Sequence, residues 1–183
     1  MFRKILVAGA VSAMAVCGTA AAQASPGTTA AKQLAHAKAV NSKYVQTGKA
    51  RAAGYGLLKD AAGIECIADP MGGMGVHLVN GKLVGDGAIK ANTPEALVYE
   101  PDKNGRLHLV AAEYVVLKAA WDAKHSTPPS LFGHRFVSVA AGNRYGLPAF
   151  YELHTWSWKA NPMGTFMNYN PKVSCAGSTE LYR

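Results

Sequence analysis

The fold turns on Leu97-Val98-Tyr99-Glu100-Pro101-Asp102-Lys103-Asn104-Gly105-Arg106-Leu107-His108-Leu109-Val110-Ala111-Ala112-Glu113-Tyr114-Val115-Val116-Leu117. Two apolar, β-branched runs flank a polar segment rich in turn formers, the pattern of an antiparallel hairpin. A simple turn would set Glu100 across from Arg106. The second run is apolar on both faces, so it reads as a central strand. Strict alternation puts Leu107, Leu109, Ala111, Glu113, Val115 and Leu117 on one face. Glu113 then stands alone among apolar neighbours. A carboxylate there must be protonated, hydrogen-bonded, paired with a cation or bound to metal. Arg135, Arg144 or a lysine would serve a purely structural ion pair.

Working outward, Ile64 to Ala68 reads as a short strand and Asp69 to Gly75 as a breaker-rich loop. Its glycines do not have G-x-G-x-x-G spacing and lead into a strand, so they point to sharp turning or close backbone approach rather than phosphate binding. Val76 to Val79, Asn80-Gly81 and Lys82 to Val84 predict a second tight hairpin, because Asn-Gly favours a type I′ turn. Later strands are expected over Phe136–Ala140 and Ala149–Lys159. The tail carries Asn161-Pro162 and Asn170-Pro171 and should run extended. Before all of these, the alanine-rich stretch from Ala30 to about Ala53 predicts one helix, capped by Thr28 or Thr29 and ended by Gly54 and Gly56. One helix followed by about six antiparallel strands gives an α+β fold, the helix packed on a curved antiparallel sheet. A small closed barrel with one helix is the alternative.

The chain has 183 residues and a formal charge of +8. Residues 1–24 have the layout of a signal peptide: Arg3 and Lys4, an apolar run from Ile5 to Val16, then Ala22-Gln23-Ala24. The run is shorter than the roughly 20 residues that span a bilayer. Export to the periplasm or beyond is therefore expected, leaving one domain over residues 25–183 with a charge of +6. In an oxidising compartment Cys66 and Cys175 read as one disulfide. The six bases before Asp60 are spread out and lack stacking aromatics, which argues for a solvated face and against a nucleic-acid partner.

The candidate chemistry lies on strands. His77, Glu113 and His154 form a two-histidine, one-carboxylate set of the kind that leaves an open position on Zn or Cu. The same residues could instead act as an acid/base pair in an enzyme. A third possibility, an interaction module, requires no buried polar set. His134 at a strand entry could line a cleft. Trp156 could join Trp158, Phe166 and Tyr169 in an aromatic wall for a small ligand, or these rings could simply close the core. No G-x-S-x-G or H-E-x-x-H signature occurs.

Three segments, Met74-Gly75-Val76-His77, Leu97-Val98-Tyr99-Glu100-Pro101 and Leu153-His154-Thr155-Trp156-Ser157-Trp158-Lys159-Ala160-Asn161-Pro162, resemble a group of small secreted bacterial proteins of unassigned function. The resemblance spans about Ala30 to Cys175. It implies a bacterial exported protein and adds nothing to the chemistry.

Overall fold

A computed structural model of the chain describes residues 26–177. The signal-peptide segment lies outside the described residues. The apolar hairpin forms β4 (Ala96–Pro101) and β5 (Leu107–Leu117), and β5 sits in the middle of the sheet as its two-sided hydrophobicity requires. Its outer neighbour is β9 (Phe150–Thr155), followed at that edge by β8 (Val137–Val139). On the other side β4 pairs with β3 (Gly72–Val79). The far edge of β3 is shared by β1 (Gly56–Leu57) and β2 (Cys66–Asp69), which pair with its two ends. Every pairing is antiparallel, and the sheet does not close into a barrel. The architecture is α+β. A separate two-stranded ribbon joins β6 (Ser130–Leu131) to β7 (His134–Arg135).

The helical region is broken where one helix was expected. Helix α1 (Pro26–Asn41) starts before both threonines and gives way to a 3-10 turn over Ser42–Val45, then to α2 (Thr47–Ala52). The break has two visible causes. The Asn41 amide donates to Ala37 O and also to Asn92 O in a distant loop. The Tyr99 hydroxyl, from β4, donates to Tyr44 O at 2.7 Å and draws that carbonyl out of any helical ladder.

Asn80-Gly81 is also not a hairpin turn. The Asn80 side chain accepts from Lys82 N and caps a short helix, α3 (Gly81–Val84), so the chain leaves the sheet and returns as β4. The glycines assigned to a loop lie instead within β3, in a tight hairpin with β2 that turns at Pro70 and Met71. A further short helix, α4 (Lys118–Asp122), follows β5.

A bulge in the β4–β5 pair decides which side chains share a face. Val98 opposes Ala111, yet Tyr99 opposes Leu109, so β5 carries one extra residue. Glu100 therefore faces His108 rather than Arg106, which pairs with Asp102. Leu107 and Leu109 fall on the helix side with Tyr99 and Leu97, against Tyr44 and Ala50. Farther along, Tyr114, Val116, Tyr151 and Leu153 pack with Ala37 of α1 on that same side. The opposite face carries His77, Val79, Ala96, Glu113, Val115 and Phe150. The Cys66–Cys175 disulfide, with Cα atoms 5.9 Å apart, fastens the tail to β2. Among the described residues, no helix is long and apolar enough to cross a membrane.

Candidate metal centre

Strands β3, β5 and β9, with β4 between the first two, deliver the centre to the face away from the helices. The register sets Glu113 directly opposite His154 on β9 and opposite Ala96 on β4. His77 pairs with Val98, one β4 position pair along on the same face, and reaches Glu113 diagonally past the small Ala96 side chain. Gly75 makes this approach possible. Its φ is +91°, and a Cβ there would lie 2.6 Å from Tyr99 O.

The three side chains are buried and share one centre. His77 Nε2 lies 3.6 Å from Glu113 Oε2, and His154 Nε2 lies 3.8 Å from Glu113 Oε1. One candidate ligand atom from each residue falls within 4.8 Å of the others. The two rings meet edge to face with centroids 5.9 Å apart. No ring nitrogen of either histidine has a hydrogen-bond partner. Leaving four buried nitrogens unmade is costly, since each such group forfeits about 1–3 kcal/mol. The cluster could hold a metal ion.

Protonation states follow from burial. Desolvation pushes His77 down to about 4 and His154 down to about 3, so both rings are neutral. The Gly75 backbone opposes the His77 shift but lies outside hydrogen-bond geometry. Glu113 is held well above the usual carboxylate range, first by burial and then by the carboxyl of Glu152. Glu152 is raised as well, chiefly by burial, with Asn168 donating a hydrogen bond to its Oε1 in partial opposition. The Glu113 and Glu152 carboxyls lie on the same face of the sheet, and each resists ionising beside the other in this buried setting.

Glu113 has no arginine partner. Arg144 is engaged by Asp60, Nη2 to Oδ2 at 2.9 Å, and Arg135 is exposed on the separate ribbon. The arginine ion pair considered for Glu113 is thus not formed.

His134 and Trp156 do not join the ligand set. His134 is exposed on β7 and stacks on Phe166 with centroids 3.7 Å apart. Trp156 is buried. Its ring lies nearly parallel to that of His154, centroids 6.1 Å apart, and its Nε1 donates to Met167 O. It packs beside a ligand rather than lining a ligand wall. Of the expected aromatic wall, Phe166 and Tyr169 line one surface pocket together with Met163 and Met167, whereas Trp158 packs against the helix-side core. Glu152 and Asn168 were not anticipated. Alternation along β9 does put Glu152 on the His154 face, a signal that could have found it. Asn168 comes from the irregular tail and has no such signal.

Beside the centre lies a cavity of about 300 Å³. His77 and Glu113 form part of its wall, and most of the rest is aliphatic or aromatic. Tyr145, from the loop before β9, completes it, its phenol kept protonated by burial.

No protein-family model, curated protein or solved structure matches the chain.

Proposed function

We propose that this protein is an exported binding protein that holds one divalent transition ion, Zn²⁺ or Cu²⁺, on His77, Glu113 and His154. The observation that carries this reading is the set of four buried, unpartnered imidazole nitrogens arranged around a single carboxyl group. Two imidazoles and a carboxylate are the donor types that zinc and copper take, with a further position left open. Charge supports it too. Burial raises both Glu113 and Glu152, and a divalent ion would supply the positive charge that lets these carboxyls ionise. Tertiary contacts act as the supporting shell: Glu152 touches Glu113, and Asn168 holds Glu152. The leader-like N-terminus, the disulfide and the resemblance to secreted bacterial proteins support export.

Titration calorimetry of chelator-treated protein with Zn²⁺ and with Cu²⁺ tests the reading. One ion per chain, with a rise in melting temperature on loading, is the expected result. Absence of saturable one-to-one binding for both ions would overturn it.

A further inference from the structure

The cavity beside the centre is a built site rather than a packing defect. It is about 300 Å³, twice the roughly 150 Å³ of an apolar cavity that takes up benzene. Val79, Val84, Val115, Leu117, Leu147 and Phe150 supply its walls. Val115 and Leu117 project from β5 on the Glu113 face, so the wall continues the strand that bears the ligand. The polar side chains of the lining are few: His77, 2% exposed and with both ring nitrogens unpartnered, Glu113, 6% exposed, and the Tyr145 phenol. An apolar pocket with a few convergent polar groups is the usual form of a small-molecule site.

We infer that this cavity takes a small uncharged molecule, an apolar body with one hydroxyl-type donor head, whose head reaches the open position at His77 and Glu113. Charge selects the head. The cavity lining contains no lysine or arginine, and Arg144 beside it is held by Asp60. In the metal-free protein a carboxylate head would be buried next to the Glu113 and Glu152 carboxyls without a facing cation, an expensive placement. An ammonium head would meet the metal ion itself. This second exclusion rests on the metal reading above; the apolar body does not. Length is limited by the walls to a chain or ring system of about twice the size of benzene.

The test titrates full-length mature protein, metal-free and Zn²⁺-loaded, with n-octanol, and the metal-free protein also with octanoate as the length-matched charged control. Octanol is expected to bind saturably and at least about tenfold more tightly than octanoate. Leu147→Trp, at the cavity lip, and Val84→Trp, on α3, fill the space from two different elements. Each should weaken octanol binding about tenfold while leaving Zn²⁺ affinity unchanged. Zn²⁺ binding without saturable octanol binding overturns the cavity assignment alone. Octanol binding without Zn²⁺ binding, abolished by both tryptophans, upholds the cavity and overturns only the metal reading. Octanoate binding as tightly as octanol, or octanol binding indifferent to both tryptophans, overturns the inference.

Discussion

Glu113 carries a proton that a glutamine amide can imitate. Burial favours the neutral carboxyl, so the equally neutral amide of Glu113→Gln should leave the metal-free fold intact. The same change removes the one anionic ligand. Metal affinity should fall about tenfold or more in calorimetry, with the metal-free melting temperature nearly unchanged. Proton counting gives a second check at this scale. Both histidines are neutral above their lowered values of about 4 and 3, so they release nothing on binding at neutral pH. Glu113, raised, must give up its proton. Affinity should rise with pH by about one proton per ion at pH values below the raised Glu113 value, and Glu113→Gln should flatten that slope. Calorimetry in buffers of different ionisation enthalpy counts the protons directly. Without metal, the histidine shifts have a stability sign. Their unfolded values lie near 6.5 and their folded values lower, so their contribution is present above about pH 6.5 and is lost as pH falls toward 4. The raised Glu113 acts in the opposite direction, its contribution present at low pH and lost as pH rises through its folded value. Acid melting curves should therefore steepen in Glu113→Gln.

At the level of strands and turns, β3 depends on glycines that admit neighbouring backbone. Gly75→Ala would force a Cβ to 2.6 Å from Tyr99 O at a φ of +91°. The β3–β4 pair must yield or part, and His77 lies two residues on. A loss of about 3 kcal/mol or more in urea denaturation is expected, together with loss of metal binding. Sequence reading succeeded where the signal was local. The β4–β5 hairpin, the central position of β5 and the burial of Glu113 all follow from apolar runs and alternation. It failed where a distant group decided the outcome. Nothing in Lys38 to Lys49 announces that the Tyr99 hydroxyl will take the Tyr44 carbonyl, so one helix was read instead of three short segments. Asn-Gly favours a hairpin turn and an N-cap alike. Here the Asn80 amide also donates to Ala53 O, tying α3 to the end of α2 and settling the choice. The extra residue in β5 moved Leu107 and Leu109 to the helix side, but the ligands lie beyond the bulge, so the reading of Glu113 survived it.

For the molecule as a whole, the disulfide and the tail act as one fastening. Cys66 and Cys175 are 109 residues apart, so the bridge restricts most of the described chain. Loop-closure entropy puts its contribution at about 4–5 kcal/mol as an upper value. Cys175→Ser should lower the melting temperature markedly, and thiol titration of the unreduced wild type in denaturant should find neither of these cysteines free. The tail also runs close over the glycines of β3. Gly73 and Asn170 exchange backbone hydrogen bonds at 3.0 and 3.1 Å, and a Cβ on Gly72 or Gly73 would strike Asn170 or Val173. Metal affinity in Cys175→Ser should drop less than in Glu113→Gln, because the disulfide holds Asn168 only through the intervening tail.

That tail imposes an order of assembly. A chain made from its N-terminus presents His77 first, then Glu113, and only much later His154, which joins β9 to β5. Asn168 follows, and Cys175 comes after it. A nascent chain that stops after Thr155 would own all three ligands but neither the asparagine that steadies Glu152 nor the thiol that locks the tail.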